Sequence, residues 1–370
     1  MRYIATCKLG TESLVTRQLH DLHIDVEKTE DARVTFTGGF DAMVTALLWL
    51  RTAERVLLVV GEFQAVTFEE LFDRTKALDW KPFLKPDTFI HVTGKSAKST
   101  LFSVPDCQRI VKKAIIENLK NAYHRTDIPE GGQEIIVEVG LLKDRATLAL
   151  DCCGAGLSRR GYRTYNVAAP LSETLGAAIV LLSRFRPGLP LIDPMCGSGT
   201  MPIEAAMIAT NRAPGLGRSF AGESFPFVEP ALWQAGRQEA EDLISREPVD
   251  ILGSDIDPHC IDLCKKHAKK AGVMLRWQVC DVAELAVPGE KGILVCNPPY
   301  GERLLDKRET TALYRQMRTV FNRIPGWSVN IFSGVREFEK IYGRRADKRR
   351  KLTNGGIPCT LYQYYGERNQ

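Results

Sequence analysis

Hydrophobic and polar positions change their period several times along the chain, and the changes mark out alternating strands and helices. Up to about residue 65 the order is strand, helix, strand, strand, helix, strand. These elements are predicted at Arg2–Cys7, Thr11–Leu22, Ile24–Lys28, Arg33–Phe36, Phe40–Thr52 and Arg55–Phe63. The β-α-β-β-α-β order predicts a ferredoxin-like unit, a fold that implies no function by itself.

The pattern starts afresh at about Val66 and predicts a second α+β region that ends near Asp151. Thr67 is positioned to cap the first helix of this region, because a threonine before an amphipathic run accepts from free backbone N–H groups. The predicted elements are helices at Phe68–Leu78 and Pro105–Tyr123, a strand at Thr88–Thr93, and a hairpin of Glu134–Leu142 and Ala146–Asp151 around Lys143-Asp144.

Four lysines of this second region are candidates for contact with RNA. Lys95 and Lys98 lie in Gly94–Ser99, which is predicted as a polar basic loop, and Lys112 and Lys113 lie on the long helix, off its apolar side. Cations grouped in this way can bind RNA phosphates. A charged helix face is usually only solvated, so the pattern alone leaves both interpretations open.

The segment Leu157–Arg163 joins this region to the second half of the chain. It contains Arg159, Arg160 and Arg163, together with a glycine and an aromatic residue, and Tyr165 follows. Such a segment suits a linker that touches a nucleic-acid backbone, and it suits equally a linker that packs between two domains. A helix predicted at Pro170–Ser183 comes next.

In the second half, four short apolar strands are each followed by, or end at, a polar residue. The strands are predicted at Leu191–Ile192, Asp250–Ser254, Leu275–Cys280 and Gly292–Cys296, and the polar residues are Asp193, Asp255, Asp281 and Asn297. Runs of this kind form buried parallel strands. Because open α/β sheets bind ligands at the carboxyl ends of their strands, we expect one edge of one sheet to collect all four side chains.

The turn after the first of these strands is rich in small residues, Cys196-Gly197-Ser198-Gly199, and a helix follows from about Met201. Its glycines let the backbone approach a ligand closely, and the new helix presents free N–H groups. The spacing is not the three-glycine dinucleotide fingerprint, and no lysine follows for a triphosphate.

The acidic side chains around this turn favour a particular kind of ligand. Asp193, at the strand end, fits a cationic, zwitterionic molecule such as S-adenosylmethionine. Asp255 is placed to accept from ribose hydroxyls, as acids at this point do in nucleotide-binding folds. Asp281 could accept from an adenine amino group.

The segment Asn297-Pro298-Pro299-Tyr300 carries the candidate chemistry. Two consecutive prolines end the ladder and stiffen the exit from the strand. The Asn297 amide oxygen and the Pro298 carbonyl offer two acceptors to one planar NH2 group, and Tyr300 offers a face for stacking. This arrangement suits methyl transfer to an exocyclic amine, and the alternative is a proline-stiffened loop without chemistry.

Composition is that of a globular protein, with 44% hydrophobic and 26% charged residues in 370, a length that predicts two or three domains. The net charge of +5 permits a polyanionic partner without requiring one. No apolar run is long enough to span a bilayer, and the N-terminus does not resemble a signal peptide. Ten scattered cysteines suggest reduced thiols, so we expect a cytoplasmic protein without a membrane partner.

Two further groupings of residues each allow two interpretations. Cys260, Cys264 and His267 share one helix face and could bind zinc, but no fourth ligand at suitable spacing is near, so small cysteines packing under a surface histidine are favoured and no metal is expected. The densest basic run, Arg344–Lys351 before Asn354-Gly355-Gly356, suits either an RNA contact or a solvated loop.

Several segments together resemble the bacterial ribosomal-RNA guanine-N2 methyltransferase family. The chain is similar to the N-terminal half of the fused large-subunit enzyme of enteric bacteria. The matching segments are Leu157–Arg163, Asp193–Ala206, Arg212–Leu216, Gly253–Asp257, Asn297–Leu304 and Arg345–Lys348. The first half is similar in pattern and position to the THUMP region of that family.

The resemblance implies an α/β fold, in which a Rossmann-like S-adenosylmethionine-dependent methyltransferase domain follows ferredoxin-like and THUMP α+β domains. The implied ranges are 1–65 for the ferredoxin-like domain, 66–155 for THUMP, 156–168 for a linker and 169–370 for the methyltransferase domain. By the same resemblance Asp193, Cys196, Gly197, Ser198 and Gly199 hold the methionine end of the cofactor, Asp255 its ribose and Asp281 its adenine, while Asn297, Pro298 and Tyr300 place the target base.

The favoured hypothesis is therefore an RNA guanine-N2 methyltransferase that acts on ribosomal RNA. Archaeal transfer-RNA guanine-N2 enzymes share the architecture, so transfer RNA is an alternative substrate. Asn-Pro-Pro-Tyr also occurs in enzymes that methylate adenine N6 or a protein glutamine. An RNA-binding assembly factor without catalysis is the alternative from another class, and the intact Gly-Ser-Gly turn argues against it. The sequence does not give the oligomeric state.

Overall fold

A computed structural model of the protein describes residues 1–163, 171–300 and 307–366. The predicted helix start at Pro170, residues 164–168 of the predicted linker with Tyr165, and residues 301–304 of the family motif lie outside these ranges. Within the described part of the chain, no helix is both long and apolar enough to cross a bilayer.

The described strands form two seven-stranded sheets, one in each half of the chain. The first contains β1 Arg2–Cys7, β2 Asp25–Glu30, β3 Arg33–Thr37, β4 Ala53–Gln64, β5 Phe89–Ala97, β6 Glu134–Leu142 and β7 Arg145–Asp151. The second contains β8 Leu191–Asp193, β9 Ile251–Asp255, β10 Arg276–Val279, β11 Gly292–Cys296, β12 Trp327–Ser333, β13 Lys348–Asn354 and β14 Ile357–Tyr364.

Four helices belong to the first half and six to the second, counted over the described residues. Those of the first half are α1 Glu12–Asp21, α2 Phe40–Trp49, α3 Phe68–Lys76 and α4 Val104–Tyr123. Those of the second are α5 Glu173–Leu182, α6 Thr200–Ala209, α7 Pro230–Asp242, α8 Pro258–Ala271, α9 Lys307–Phe321 and α10 Phe338–Tyr342. Short 3-10 helices lie at Ala221–Ser224 and Val282–Glu284.

The first sheet runs through both N-terminal regions in the order β2-β3-β1-β4-β7-β6-β5. Its ferredoxin-like part has the predicted element order, and β4 pairs antiparallel with β1 on one side and β7 on the other. The predicted hairpin is confirmed, since Lys143 and Asp144 both have the positive φ that a two-residue turn of this kind needs. The two regions therefore share one continuous sheet through β4.

The prediction of a polar loop at Gly94–Ser99 is wrong for most of its length. Gly94 to Ala97 continue β5 and pair in parallel register with β6. The polar residues there alternate along a partly solvated strand, and four residues of such alternation are too few to distinguish a strand from a loop. Lys95 is thereby fixed on a sheet surface.

The second sheet has the order β10-β9-β8-β11-β12-β14-β13. Its first five strands are parallel, and β14 is antiparallel to β12. The hairpin β13–β14 turns at Gly355 and Gly356, both with positive φ, and leaves β13 at the edge. An open parallel sheet with helices between its strands is the predicted Rossmann-like arrangement, and an antiparallel edge is common in such sheets.

One segment of the second half is buried in the core of the first. Between α6 and β9, Phe220, Phe225, Val228 and Trp233 join the apolar cluster that fills the N-terminal sheet and its helices. Gly215 donates its backbone N–H to the Leu48 carbonyl at 2.9 Å. Burying these side chains ties the two halves through a shared core rather than a loose contact.

Buried charged side chains also lie where the halves meet. This junction cluster consists of Arg51 after α2, Arg160 and Tyr162 in the linker, and Glu204 on α6. Tyr162 Oη donates to Glu204 Oε1 at 3.2 Å, and Arg160 Nε lies 3.5 Å from the same oxygen. Arg51 donates to the Arg212 carbonyl at 2.9 Å. Burial raises the pKa of Glu204, and the two guanidinium groups oppose that rise.

Candidate active site

The carboxyl ends of four neighbouring parallel strands bring the predicted acidic and amide side chains to one edge. Asp193 ends β8 opposite Gly253 of β9, and Asp255 ends β9 opposite Val279 of β10. Asn297 follows β11, which pairs with β8 on the side opposite β9. We call Asp193, Asp255, Asp281 and Asn297 the strand-tip edge. The prediction that these residues meet at one edge of one sheet is confirmed.

Asp193 is buried, with 1% of its surface exposed. Its Oδ1 accepts from the Met195 N–H at 3.2 Å, but its Oδ2 has no hydrogen-bond partner among the described residues. Burial raises the pKa of Asp193 well above its ordinary value, and the nearby Asp255 charge raises it further. A carboxylate in this position lacks a cation, which the amino group of S-adenosylmethionine would supply.

The turn that follows β8 leaves room for a ligand on one side and none on the other. A Cβ on Gly197 would meet no atom within 4 Å, so the backbone there borders open space. A Cβ on Gly199 would lie 2.8 Å from the Trp277 ring, and Gly199 has a φ of +84°. Glycine is thus required at Gly199 by packing and conformation together. The residues present fit the cofactor's methionine end.

Two residues of the turn, Cys196 and Ser198, are buried. Cys196 Sγ lies 3.8 Å from Cys264 Sγ, and burial raises the pKa of the Cys196 thiol. Ser198 is 5% exposed, and its carbonyl faces His267 Nδ1 at 3.1 Å. A ligand at this turn would meet the backbone of these two residues rather than the Cys196 sulfur.

Asp255 and Asp281 are both held by backbone N–H groups. Asp255 Oδ2 accepts from Gly197 at 2.9 Å, and its Oδ1 accepts from Asp257 at 3.1 Å. Asp281 Oδ1 accepts from Ala283 at 2.8 Å and caps a short 3-10 helix. Each carboxylate oxygen keeps a second lone pair for a hydroxyl or amino donor. Their orientation is therefore fixed before any ligand arrives.

Asn297 carries the second unpaired oxygen of the strand-tip edge. Its Oδ1 is buried and has no hydrogen-bond partner in the described part of the chain. A buried amide oxygen without a donor costs about 1 to 3 kcal/mol, which a ligand N–H could recover. Pro298, which follows, is buried and cannot donate.

The proline turn rests on side chains that the sequence analysis did not select. Tyr314 on α9 is fully buried, donates to the Pro299 carbonyl at 3.3 Å and lies 3.1 Å from Ser333 Oγ. Asn354, at the end of β13, donates to Tyr300 Oη at 3.0 Å. The signal that could have been used for Asn354 is its place before Gly355-Gly356, which predicts a hairpin turn. No comparable signal marks Tyr314.

Tyr300 packs closely on one side. A Cβ on Gly334 would lie 3.0 Å from its ring, and Cys359 Sγ lies 3.6 Å from its hydroxyl. Burial raises the pKa of the Tyr300 hydroxyl above its ordinary value. The ring is held in one orientation, which suits the predicted stacking role.

The three residues considered as zinc ligands have other contacts. Cys264 Sγ faces the Gly197 carbonyl at 3.1 Å, and Cys260 Sγ lies 3.7 Å from Asp257 Oδ2. His267 is fully buried, so its expected surface position is wrong: α8 turns this face toward the Gly197–Gly199 turn. Among the described residues, no group of three or more His, Cys, Asp or Glu is arranged to hold a metal ion.

The predicted RNA-contacting lysines differ in how far they are neutralised. Lys95 forms an ion pair with Glu138 at 2.7 Å, and Lys112 forms one with Glu130 at 2.9 Å. Lys113 lies over the Phe72 ring. Lys98 is exposed, and so is Arg159. The last two therefore have the least competition from the protein's own groups.

The prediction that Arg160 and Arg163 contact RNA is corrected by their positions, because neither side chain faces solvent freely. Arg160 is 3% exposed and donates to the carbonyls of Leu157 and Arg51. Arg163 donates to Thr200 Oγ1 at 2.5 Å, at the start of α6. Of the two interpretations of this linker, packing between domains is the one that describes Arg160.

A polar cleft of about 570 Å³ lies on the N-terminal side of the linker. Arg55, Lys95 and Arg159 contribute its cations, and Glu54 and Glu138 its carboxylates. Two of the predicted RNA-contacting residues thus share one concave surface.

Comparison with known proteins gives matches along the whole chain. Residues 160–363 match the model of the RMKL-like methyltransferase domain, residues 2–57 that of the RlmL ferredoxin-like domain, and residues 65–151 that of the THUMP domain. The chain is 43% identical over 98% of its length, and 96% of the relative's, to a Bacillus subtilis protein named "Putative RNA methyltransferase YpsC".

Two solved structures are similar over nearly the full chain. One, described as SMU.472, "a putative methyltransferase complexed with SAH", is 41% identical with a TM-score of 0.94, covering 100% of this chain and 99% of its own. The other, from Listeria monocytogenes, is described as a "predicted N6-adenine-specific DNA methylase". It is 45% identical with a TM-score of 0.94, covering 99% and 96% of the two chains.

Proposed function

Because the chain belongs to the RMKL-like methyltransferase family, we propose that it transfers a methyl group from S-adenosylmethionine to N2 of a guanine in RNA, with ribosomal RNA as the favoured substrate. The predicted cofactor is confirmed by family membership together with the 41% identical relative described in complex with SAH, S-adenosylhomocysteine, the demethylated form of that cofactor. The predicted fold class and family resemblance are confirmed by the same matches.

The proposed cofactor contacts follow the strand-tip edge. Asp193 and the backbone of Cys196, Gly197, Ser198 and Gly199 bind the methionine end, Asp255 binds the ribose and Asp281 the adenine amino group. The bound cofactor supplies an electrophilic methyl group on a sulfonium. The Asp193 carboxylate, which has no cation of its own among the described residues, supports this orientation.

The unpaired Asn297 oxygen is the observation that carries the proposed reaction. The guanine amino nitrogen is a poor nucleophile, because its lone pair is delocalised into the ring. Hydrogen bonds from its two N–H groups to Asn297 Oδ1 and the Pro298 carbonyl favour the pyramidal form, whose lone pair can point at the methyl group. The same acceptors stabilise the positive charge that develops on nitrogen. The methylated nitrogen is strongly acidic and loses its extra proton to water, so no strong base is needed.

RNA as the polymer is supported by the THUMP domain and by the name of the Bacillus subtilis relative. Lys95, Lys98, Lys112, Lys113 and Arg159 remain the proposed cationic contacts of the N-terminal half. We keep the predicted ranges 1–65, 66–155, 156–168 and 169–370 as the proposed domain division. An RNA substrate and ten free thiols support a cytoplasmic location.

Methylation of adenine N6 is the second candidate, since the Listeria relative's description names that chemistry. An exocyclic adenine amine would offer the same two N–H donors to Asn297 and Pro298. Geometry at this one site therefore does not separate the two bases, and the product must be identified.

The deciding experiment compares nucleosides by mass spectrometry from ribosomal RNA, transfer RNA and DNA of cells with and without this protein. We expect N2-methylguanosine to fall in ribosomal RNA and to return with the wild-type gene but not with Asn297→Ala. A loss of N2-methylguanosine confined to transfer RNA would identify transfer RNA as the substrate instead of ribosomal RNA. Unchanged N2-methylguanosine together with a loss of N6-methyladenine would replace the proposal with the second candidate.

A further inference from the structure

The chain's net positive charge is concentrated next to the proposed target-base site. Residues 344–354 contain six cationic side chains and one acidic one, a net charge of +5, which equals the net charge of the whole chain. The other residues together are neutral. Most of these cations lie on β13, the edge strand of the methyltransferase sheet.

Most of the β13 cations have no carboxylate partner in the part of the chain that the structure describes. Arg349 is held by both oxygens of Glu339, at 2.8 and 2.9 Å. Lys348, Arg350 and Lys351 form no ion pair with any described residue, and the buried Arg350 Nε also lacks a hydrogen-bond partner among them. The paired Lys95 and Lys112 of the N-terminal half contrast with this row. Among the described residues, this row therefore leaves Lys348, Arg350 and Lys351 available to an anion from outside the chain.

The strand leads directly to the base site. Its last residue, Asn354, donates to Tyr300 Oη at 3.0 Å. At a rise of about 3.3 Å per residue, Lys351 lies roughly 10 Å along the strand from Asn354. A polynucleotide whose base reaches Tyr300 would therefore have its neighbouring phosphates within reach of β13.

The N-terminal half meets the same strand. A Cβ on Gly10 would lie 2.7 Å from the Lys351 carbonyl oxygen, so the turn between β1 and α1 abuts β13. In that turn Lys8 pairs with Glu54 at 3.2 Å, and Glu54 lines the 570 Å³ cleft that also contains Lys95 and Arg159. These contacts therefore link the cleft, through Lys8 and Gly10, to β13, whose last residue contacts Tyr300.

We propose that β13 binds the phosphates of the unpaired RNA strand on one side of the target nucleotide, with the Lys8–Gly10 turn completing the track from the N-terminal cleft. This rests on the proposed function and gives the substrate the form of an unpaired strand, because a base must leave its stack to reach the strand-tip edge. The other explanation of a basic edge strand is that its charges prevent pairing with a second sheet.

The test uses the full chain and a labelled 20-nucleotide oligouridine with one central guanosine. Lys348→Gln/Lys351→Gln is compared with Lys269→Gln/Lys270→Gln, which removes the same charge from the exposed end of α8. Dissociation constants are measured over a range of salt concentrations. We expect about tenfold weaker binding for the β13 variant. The plot of log K against the logarithm of the salt concentration should become less steep by about 1.4. Each phosphate of a single strand that is no longer neutralised reduces the magnitude of this slope by about 0.7. The α8 variant should bind like the wild type.

Three results would overturn the proposal. One is equally weakened binding by both variants, which would show a general charge effect. Another is equal weakening on a 20-base-pair duplex of matching sequence, which would remove the assignment to an unpaired strand. The last is an unchanged salt slope with new self-association, which would show that the charges guard the edge. Binding is read without methyl transfer, so failure of the guanine-N2 proposal in the nucleoside analysis is separate from failure here. Thermal unfolding of both variants checks their folding.

Discussion

The strand-tip edge and the junction cluster both bury polar atoms that have no hydrogen-bond partner among the described residues, but the missing partners differ in kind. At the junction the unpaired atoms are donors and acceptors together: Arg51 Nη1, Arg160 Nε and Glu204 Oε2. At the strand-tip edge they are acceptors only, Asp193 Oδ2 and Asn297 Oδ1. Opposite charges face each other in the first group, whereas the charge that acts on Asp193 is that of another carboxylate, Asp255.

The chemical kind of the unpaired atoms separates a binding site from a structural polar cluster. Unpaired atoms alone do not mark a site, because the junction has more of them. Atoms of one kind, beside open space such as that over Gly197, require a ligand of the complementary kind. A ligand rich in N–H donors fits the strand-tip edge. The amino group of S-adenosylmethionine and the exocyclic amine of guanine both supply such donors.

The largest expected effect comes from removing the shared charge of the junction. Glu204→Gln keeps an acceptor for Tyr162 but removes the carboxylate that faces both buried guanidinium groups, those of Arg51 and Arg160. We expect the free energy of unfolding to fall by about 3 to 5 kcal/mol, measured by urea denaturation. Glu241→Gln, at an exposed position of α7, is the control and should change it by less than about 0.5 kcal/mol. Equal stability of the two variants would show that the junction cluster does not depend on the Glu204 charge and would contradict its structural role.

The next largest effect is on catalysis. Asn297→Ala removes one of two acceptors for the target amine, and kcat should fall by about 100- to 1,000-fold. The dissociation constant for S-adenosylmethionine, measured by calorimetry, should stay within about twofold, since Asn297 is assigned to the base and not to the cofactor. Retained turnover would contradict that role. Weakened cofactor binding would show that Asn297 also contacts S-adenosylmethionine and is not reserved for the target base.

A smaller effect is expected from Asp193→Asn, which removes the carboxylate while keeping its shape. Affinity for S-adenosylmethionine should fall by about 10- to 100-fold, the usual worth of a hydrogen bond to a charged group. Ser254→Ala, in β9 beside this strand, is a control for packing. Undiminished affinity would mean that the cofactor's amino group binds elsewhere.

The same substitution has a consequence for stability without cofactor. Burial raises the pKa of Asp193 above the ordinary 3.8, so its contribution to stability is full below pH 3.8 and is lost as pH rises through the raised pKa. The free energy of unfolding of the Asp193→Asn variant, relative to wild type, should therefore increase as pH rises through that interval. Denaturation at several pH values measures this. A constant difference would mean that the pKa of Asp193 is not raised.

The smallest predicted effect concerns the support of the proline turn. Tyr314→Phe removes the hydrogen bond to the Pro299 carbonyl, worth about 1 kcal/mol, and kcat should fall by roughly three- to tenfold. Tyr365→Phe, a partly exposed position, should leave kcat unchanged. If Tyr314→Phe changed only cofactor affinity, the tyrosine would support the other half of the strand-tip edge.

Much of the architecture could be predicted because it depends on local rules. Asp257 caps α8 by accepting from His259, Gly272 ends it with a positive φ, and Thr67 caps α3 by accepting from Glu70. Parallel strands put their ends at one edge whatever their loops do, so the strand-tip edge followed from order alone.

What could not be predicted depends on contacts distant in sequence. Arg160 has the composition of an RNA contact, and only the packing of α6 against the linker shows that it is buried. Tyr314 lies fifteen residues after the carbonyl that it supports, on a helix whose pattern does not single it out.

The shared core has a consequence for how the protein is made. The apolar cluster of the N-terminal sheet includes Phe220, Phe225 and Trp233, which the ribosome adds long after β7 is complete. During synthesis the first half therefore emerges with part of its interior uncovered, and it cannot close until those aromatic residues have left the exit tunnel. Translation speed through that interval, and any chaperone that shields the waiting surface, become part of the protein's folding.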